Sequence, residues 1–131
     1  MITALYASLC ALWIMKLSLN VISLRRQHRV SLGDGGHADL QAAIRTQGNA
    51  TEYIPIILIL MIMLEWAGAY WWLIHLAGIT LLAGRIIHAS ALQQADGKRR
   101  VLGMKFTFYL IMALAALNIF YLIAGYFFAG S

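Results

Sequence analysis

Four long apolar stretches divide the chain, at about 2–24, 40–64, 70–92 and 103–129. None alternates polar and apolar residues with the period of two that marks a strand, so helices are expected throughout. At 1.5 Å rise per residue, each is long enough to cross a hydrocarbon core of about 30 Å. The second stretch is polar at its start and the third at its end. The first has no basic lead, no small-x-small cleavage pattern and too long a core for a signal peptide, so it is expected to stay in the mature protein.

Composition turns four helices into a membrane domain. The chain has 131 residues, 62% of them hydrophobic and 11% charged. Soluble domains are nearer half apolar and a quarter charged. The length suits one domain, 1–131, and that domain is expected to be an all-α integral membrane four-helix bundle with lipid as its solvent. The net charge of +5 then reads as basic cytoplasmic loops, and nucleic acid is not an expected partner. Cys10 is the only cysteine, which excludes an intrachain disulfide and a Cys-based metal cluster. In its apolar run it reads as a packing residue rather than a nucleophile. No metal site is expected.

The basic residues also set an orientation. Arg25, Arg26 and Arg29 follow the first helix, Arg45 opens the second, and Lys98, Arg99, Arg100 and Lys105 follow the third. The turn at 65–72 has neither Lys nor Arg. Loops 1 and 3 are therefore expected in the cytoplasm, with both termini and the middle turn outside. Trp66, Tyr70, Trp71 and Trp72 suit an aromatic belt at that outer interface, and Gly68 suits a tight turn there. In loop 1, residues 33–36 (Gly-Asp-Gly-Gly) signal a turn rather than a phosphate loop, since no strand precedes them and no Lys-Ser/Thr follows. Asp34 or Asp39 is a candidate cap for the second helix.

The chemistry lies in polar residues inside the apolar stretches. Arg45, Asn49 and Glu52 follow i, i+4, i+7 spacing, one face of the second helix, with Tyr53 flanking it. Arg85, His88 and Leu92 follow i, i+3, i+7 on the third. Both sets fall about 10 Å inside the cytoplasmic boundary, counting 1.5 Å per residue. The first helix adds Asn20 and Ser23 at that level, with Lys16 deeper. Three readings compete. The groups sit among headgroups, with Arg85 pairing Glu52 to hold the bundle; they form a site for an anionic ligand gripped by arginines; or they begin a conduction path. The third fares worst, because only Lys16 continues the polarity outward. Asn49-Ala50-Thr51 matches a glycosylation acceptor, but on the inferred cytoplasmic side that is a chance match.

Residues 45–55, Arg-Thr-Gln-Gly-Asn-Ala-Thr-Glu-Tyr-Ile-Pro, resemble the R-x-Q-x-N-x-x-E-Y-x-P signature of the MAPEG family, the membrane-associated proteins of eicosanoid and glutathione metabolism. Residues 21–30 resemble the end of helix 1 in its leukotriene C synthase branch, and residues 84–88 the helix 3 motif of its prostaglandin E synthase branch. The likeness runs through all four helices in order and is strongest to the small prokaryotic members. It implies a homotrimer in the bacterial inner membrane, with glutathione as co-substrate at each subunit interface. By carry-over, Arg45, Gln47, Asn49, Glu52 and Tyr53 would bind the tripeptide, joined by Arg25 or Arg26, Arg85 and His88. An arginine near the start of helix 4 would stabilise the thiolate; Arg99 and Arg100 occupy that region, with the choice leaning to Arg100. One departure is Leu92, where several glutathione-binding members carry Tyr.

The implied chemistry is physically coherent. A thiol becomes a good nucleophile on ionisation, and a nearby guanidinium lowers its pKa. Glutathione carries two carboxylates and an ammonium, which an arginine cluster with one glutamate complements. The expected function is glutathione transfer to hydrophobic electrophiles that enter from the lipid, or glutathione-dependent peroxide reduction. The alternative is a non-catalytic lipid-binding or scaffold protein on the same fold, a direction in which Leu92 leans. Gly78 and Gly84 allow close helix packing without setting a subunit number.

Overall fold

A computed structural model describes residues 1–93 and 97–129. It contains α1 (Ile2–His28), α2 (Ala38–Trp66), α3 (Trp71–Gln93) and α4 (Gly97–Ala129), each long and apolar enough to cross a membrane. α1 and α4 each pack on both α2 and α3 and not on each other, so α2 and α3 form the centre. The four expected helices are present, and no strand occurs among the described residues.

Two helix ends lie beyond the apolar stretches. α1 continues to His28, because Arg25, Arg26 and His28 in its last turn complement the negative end of the helix dipole. Arg29 closes it in the left-handed conformation, φ 56°. α4 begins at Gly97 rather than near 103, so Lys98, Arg99, Arg100 and Lys105 are helical and not loop residues. Hydrophobicity marks where a helix enters lipid, whereas the helix itself runs on through its polar turns. Neither candidate aspartate caps α2: its cap position is His37. Asp34 instead accepts the Gly36 N–H, and Asp39, inside the first turn, pairs with His28 at 2.9 Å.

The core is a stripe on α2, from Leu40, Ala43 and Thr46 through Ala50, Ile54, Ile57, Met61 and Leu64, set against Tyr6, Cys10 and Leu17 of α1, Ile74 and Leu81 of α3 and Leu110 and Leu114 of α4. Its spacing of three and four residues keeps one face inward over seven turns. The opposite face of α2 carries Arg45, Thr51, Glu52 and Pro55, all exposed.

The end of the bundle that holds the α2–α3 turn and the exposed Trp66, Tyr70, Trp71 and Trp72 is the aromatic end; the end with the other two connections is the basic end. Gly68 makes the turn at φ +86°, the left-handed region where glycine is favoured. Glu65 ties the aromatic end together. Its carboxylate accepts the backbone N–H groups of Ile2 and Thr3, the latter at 2.9 Å, and lies 3.9 Å from the Met1 amine. These N–H groups open α1 and have no helical partner of their own. Below them Tyr6 and His75 are hydrogen-bonded at 2.8 Å, and the Tyr6 ring fills the space a side chain at Gly78 would need.

Candidate functional site

Toward the basic end, α3 and α4 come closest together. A Cβ on Gly103 would meet the backbone of His88 at 2.9 Å, and one on Gly84 would meet Phe106 at 3.1 Å. Two glycines thus let two helices touch nearly backbone to backbone. The side chains above and below that contact converge on one place.

At the centre is Arg85, 1% exposed. Its Nη2 donates to Asn49 Oδ1 of α2 and lies 3.0 Å from His88 Nδ1, while Nη1 donates to Thr107 Oγ1 of α4 at 3.4 Å. The Thr107 hydroxyl in turn donates to the Gly103 carbonyl at 3.2 Å. A guanidinium only donates, so His88 Nδ1 is the acceptor, and the proton of the neutral ring is on Nε2. The Arg85 Nε is buried with no partner. No carboxylate pairs with Arg85, Arg45 or Arg100 among the described residues. Buried cations are normally paired, and an unpaired one raises the question of what anion completes it.

Beside Arg85 lies a cavity of about 260 Å³ walled by Arg45 and Asn49 of α2, His88 and Leu92 of α3, and Arg100 and Met104 of α4. Three of the site residues expected from the second and third helices line it, and Arg85 lies directly behind, bonded to two of them. Of the two candidates on α4, Arg100 is on the wall. Arg99 is not among the residues that line the cavity. Leu92 is also on the wall, so the departure from the family pattern falls inside the site.

The other expected residues point away. Glu52 is exposed on the outward face of α2, so the Arg85–Glu52 pair does not form; Asn49, Thr107 and His88 take its place. Gln47 turns toward α1, 3.4 Å from Ser18 Oγ, and Tyr53 stacks edge-on to Phe108. Arg25 donates to the Gly33 carbonyl at 2.7 Å; with Arg26 and Arg29 it borders a separate groove of about 350 Å³. Thr107 and Met104 escaped the sequence reading. The signal was there: Arg100, Met104 and Thr107 follow i, i+4, i+7 and share a face.

This arrangement of four spans around an arginine-rich pocket on one side defines a class that sequence comparison identifies directly. The model of the MAPEG family matches residues 3–120, and the chain belongs to that family. It is similar to the "Inner membrane protein YecN" of Escherichia coli (strain K12), 45% identical over 122 residues that cover 93% of each chain. It matches the protein of that name in Escherichia coli O6:H1 (strain CFT073) to the same extent. With its four spans, the chain is an integral inner membrane protein.

Proposed function

We propose that this protein is a membrane-bound glutathione transferase that conjugates hydrophobic electrophiles arriving through the lipid. The observation that carries the reading is the buried Arg85, with no carboxylate partner among the described residues, beside a pocket lined by two further arginines. Three cations converging at one end of a bundle repel one another unless an anion meets them. Glutathione brings two carboxylates, and the family connects this fold to glutathione. In this reading Arg45, Asn49 and His88 hold the carboxylates, with Arg85 fixing Asn49 and His88 in place. Arg100 faces the sulfur and stabilises it as the thiolate, as a guanidinium beside a thiol does. The electrophile enters past Leu92 and Met104, the apolar part of the wall. The basic end faces the cytoplasm, where its excess of Lys and Arg belongs, and the protein works as a homotrimer. Gln47, Glu52, Tyr53, Arg25 and Arg26 then lie on faces that a second copy would complete.

Calorimetry in detergent tests binding and a chlorinated dinitrobenzene tests turnover. Glutathione should release heat and raise the melting temperature, and Arg100→Ala should lower conjugation about 100-fold, the loss expected for a donor that meets developing charge. Absence of both heat and stabilisation overturns the reading. Full activity in the Arg99→Ala/Arg100→Ala double variant overturns the thiolate role.

A further inference from the structure

A threonine inside a helix commonly turns its hydroxyl back on the carbonyl four residues earlier. Thr46 of α2 and Thr80 of α3 do this, on Ala42 at 2.7 Å and Leu76 at 2.8 Å, and these bonds stay within their own helices. Thr107 of α4 makes the same turn onto Gly103, but its oxygen also accepts from Arg85 Nη1 of α3 at 3.4 Å. With its proton committed to Gly103, the Thr107 oxygen can only accept, which is the polarity a guanidinium needs. Thr107 is 2% exposed, so water does not compete for that contact.

The contact closes a ring of groups across α3 and α4. Arg85 Nη2 holds Asn49 and His88, Nη1 reaches Thr107, Thr107 holds the Gly103 carbonyl, and Gly103 is packed on the His88 backbone. The glycine fixes how close the two helices come, but it has no side chain to resist rotation or sliding of α4. A hydrogen bond is directional and does resist them. Arg100 lies two turns from Thr107 on the same face of α4, about 10 Å along the axis. The rotation that aims Thr107 at Arg85 therefore also aims Arg100 into the pocket. We propose that Thr107 is a positioning residue: by docking on Arg85 it keeps the Arg100 guanidinium in register with Asn49 and His88. This role rests on the transferase reading of the pocket. Asn49 and His88 are fixed on Arg85 without α4, whereas Arg100 follows α4. Thr107 then governs how well the glutathione sulfur is met, and not how tightly the tripeptide is held.

Thr107→Val keeps the shape and removes the acceptor; Thr107→Ser keeps the acceptor and removes the methyl group. With a chlorinated dinitrobenzene and the full chain, kcat should fall about tenfold in Thr107→Val. The acid limb of the pH profile should move up by about one pH unit, the equivalent of a tenfold change in ionisation. Glutathione affinity by calorimetry should stay within about twofold, and Thr107→Ser should behave as the native chain does. The charged and titratable groups around the pocket are Arg45, His88 and Arg100, with Arg85 behind. Neither variant removes any of them, so a moved profile reads their placement. A native profile and kcat in Thr107→Val overturn the proposal. So does Thr107→Ser failing as Thr107→Val does, which would mean that the methyl group matters and not the hydroxyl. A readout without ligand separates this role from the transferase reading. In nitrogen NMR spectra of arginine-labelled protein, the slowly exchanging guanidinium signals missing from Arg85→Met belong to Arg85. They should exchange faster in Thr107→Val and recover in Thr107→Ser; unchanged exchange in Thr107→Val overturns the tie itself. A native chain that releases no heat with glutathione overturns the transferase reading, and this role with it, whatever those signals do.

Discussion

The two ends of the bundle use polar groups in opposite ways. At the aromatic end Glu65 is fully engaged: its carboxylate meets two N–H groups at the start of α1 and lies by the terminal amine, so charge there is spent on joining α1 to α2. At the basic end Arg85 is more deeply buried, but among the described residues its partners are neutral and its Nε has none. A charge with its counterion inside the chain is structural. A charge held in position by neutral groups, with no counterion among the described residues, is open to one from outside the chain. The difference teaches that burial alone does not separate scaffold from site; the partner list does.

Substitutions can break this comparison, and the largest effect is expected where both roles coincide. Gly103→Ala would put a Cβ 2.9 Å from the backbone of His88, where no flexible side chain can yield. α4 must move off α3, which moves Arg100, Met104 and Thr107 together. Stability should fall by the upper part of the ~1–3 kcal/mol that overpacking costs, and glutathione heat should vanish. An unchanged melting temperature with normal binding would show that the two helices are not locked at that point.

Next comes a pair of variants that should dissociate. Arg85→Met removes the uncompensated cation and keeps the volume roughly constant, so stability should change little, as for buried ionic groups replaced by apolar ones. Affinity for glutathione should drop by up to about 100-fold, because Asn49 and His88 lose the group that holds them and the pocket loses the cation behind its wall. Glu65→Gln should do the reverse. The lost charge at the α1 N-terminus should cost about 1–2 kcal/mol in thermal unfolding, and glutathione affinity should stay within about twofold. If Glu65→Gln weakens binding as much as Arg85→Met does, the two ends are coupled and the contrast fails.

Much of the fold was legible because its signals are local. Apolar run lengths gave the four spans, and the i, i+4, i+7 spacing of Arg45, Asn49 and Glu52 gave one face of α2. The spacing did not say how wide that face is. Asn49 points toward α3 and Glu52 points out of the bundle, because α2 packs along a stripe centred on Ala50, Ile54 and Ile57. Rotation of a helix about its axis is set by tertiary packing, which is why Arg85 finds Asn49 and Thr107 rather than Glu52. The start of α4 differs for a similar reason: hydropathy follows apolar side chains, and the first turns of α4 are helical although they carry Lys98, Arg99 and Arg100. The choice of Arg100 over Arg99 depended on that boundary, since two adjacent residues on a helix differ by about 100° in direction.

The smallest effect concerns the one wall residue that departs from the family pattern. Leu92 sits in the pocket with Arg45, Asn49, His88, Arg100 and Met104, and it contributes surface but no hydrogen bond. Leu92→Tyr would add a hydroxyl to a wall otherwise built of two cations, one amide, one imidazole and a thioether. A single neutral hydrogen bond is worth about 0.5–1.5 kcal/mol, so glutathione affinity by calorimetry should rise about three- to tenfold. The added ring also fills part of a 260 Å³ cavity, which should slow conjugation of bulky electrophiles more than of small ones. Tighter binding with that selectivity would show that the native leucine keeps the site open toward lipid at a cost in affinity. No gain in affinity, with all electrophiles slowed equally, would mean that the hydroxyl finds no ligand group, and that the ligand lies deeper, against Asn49 and His88.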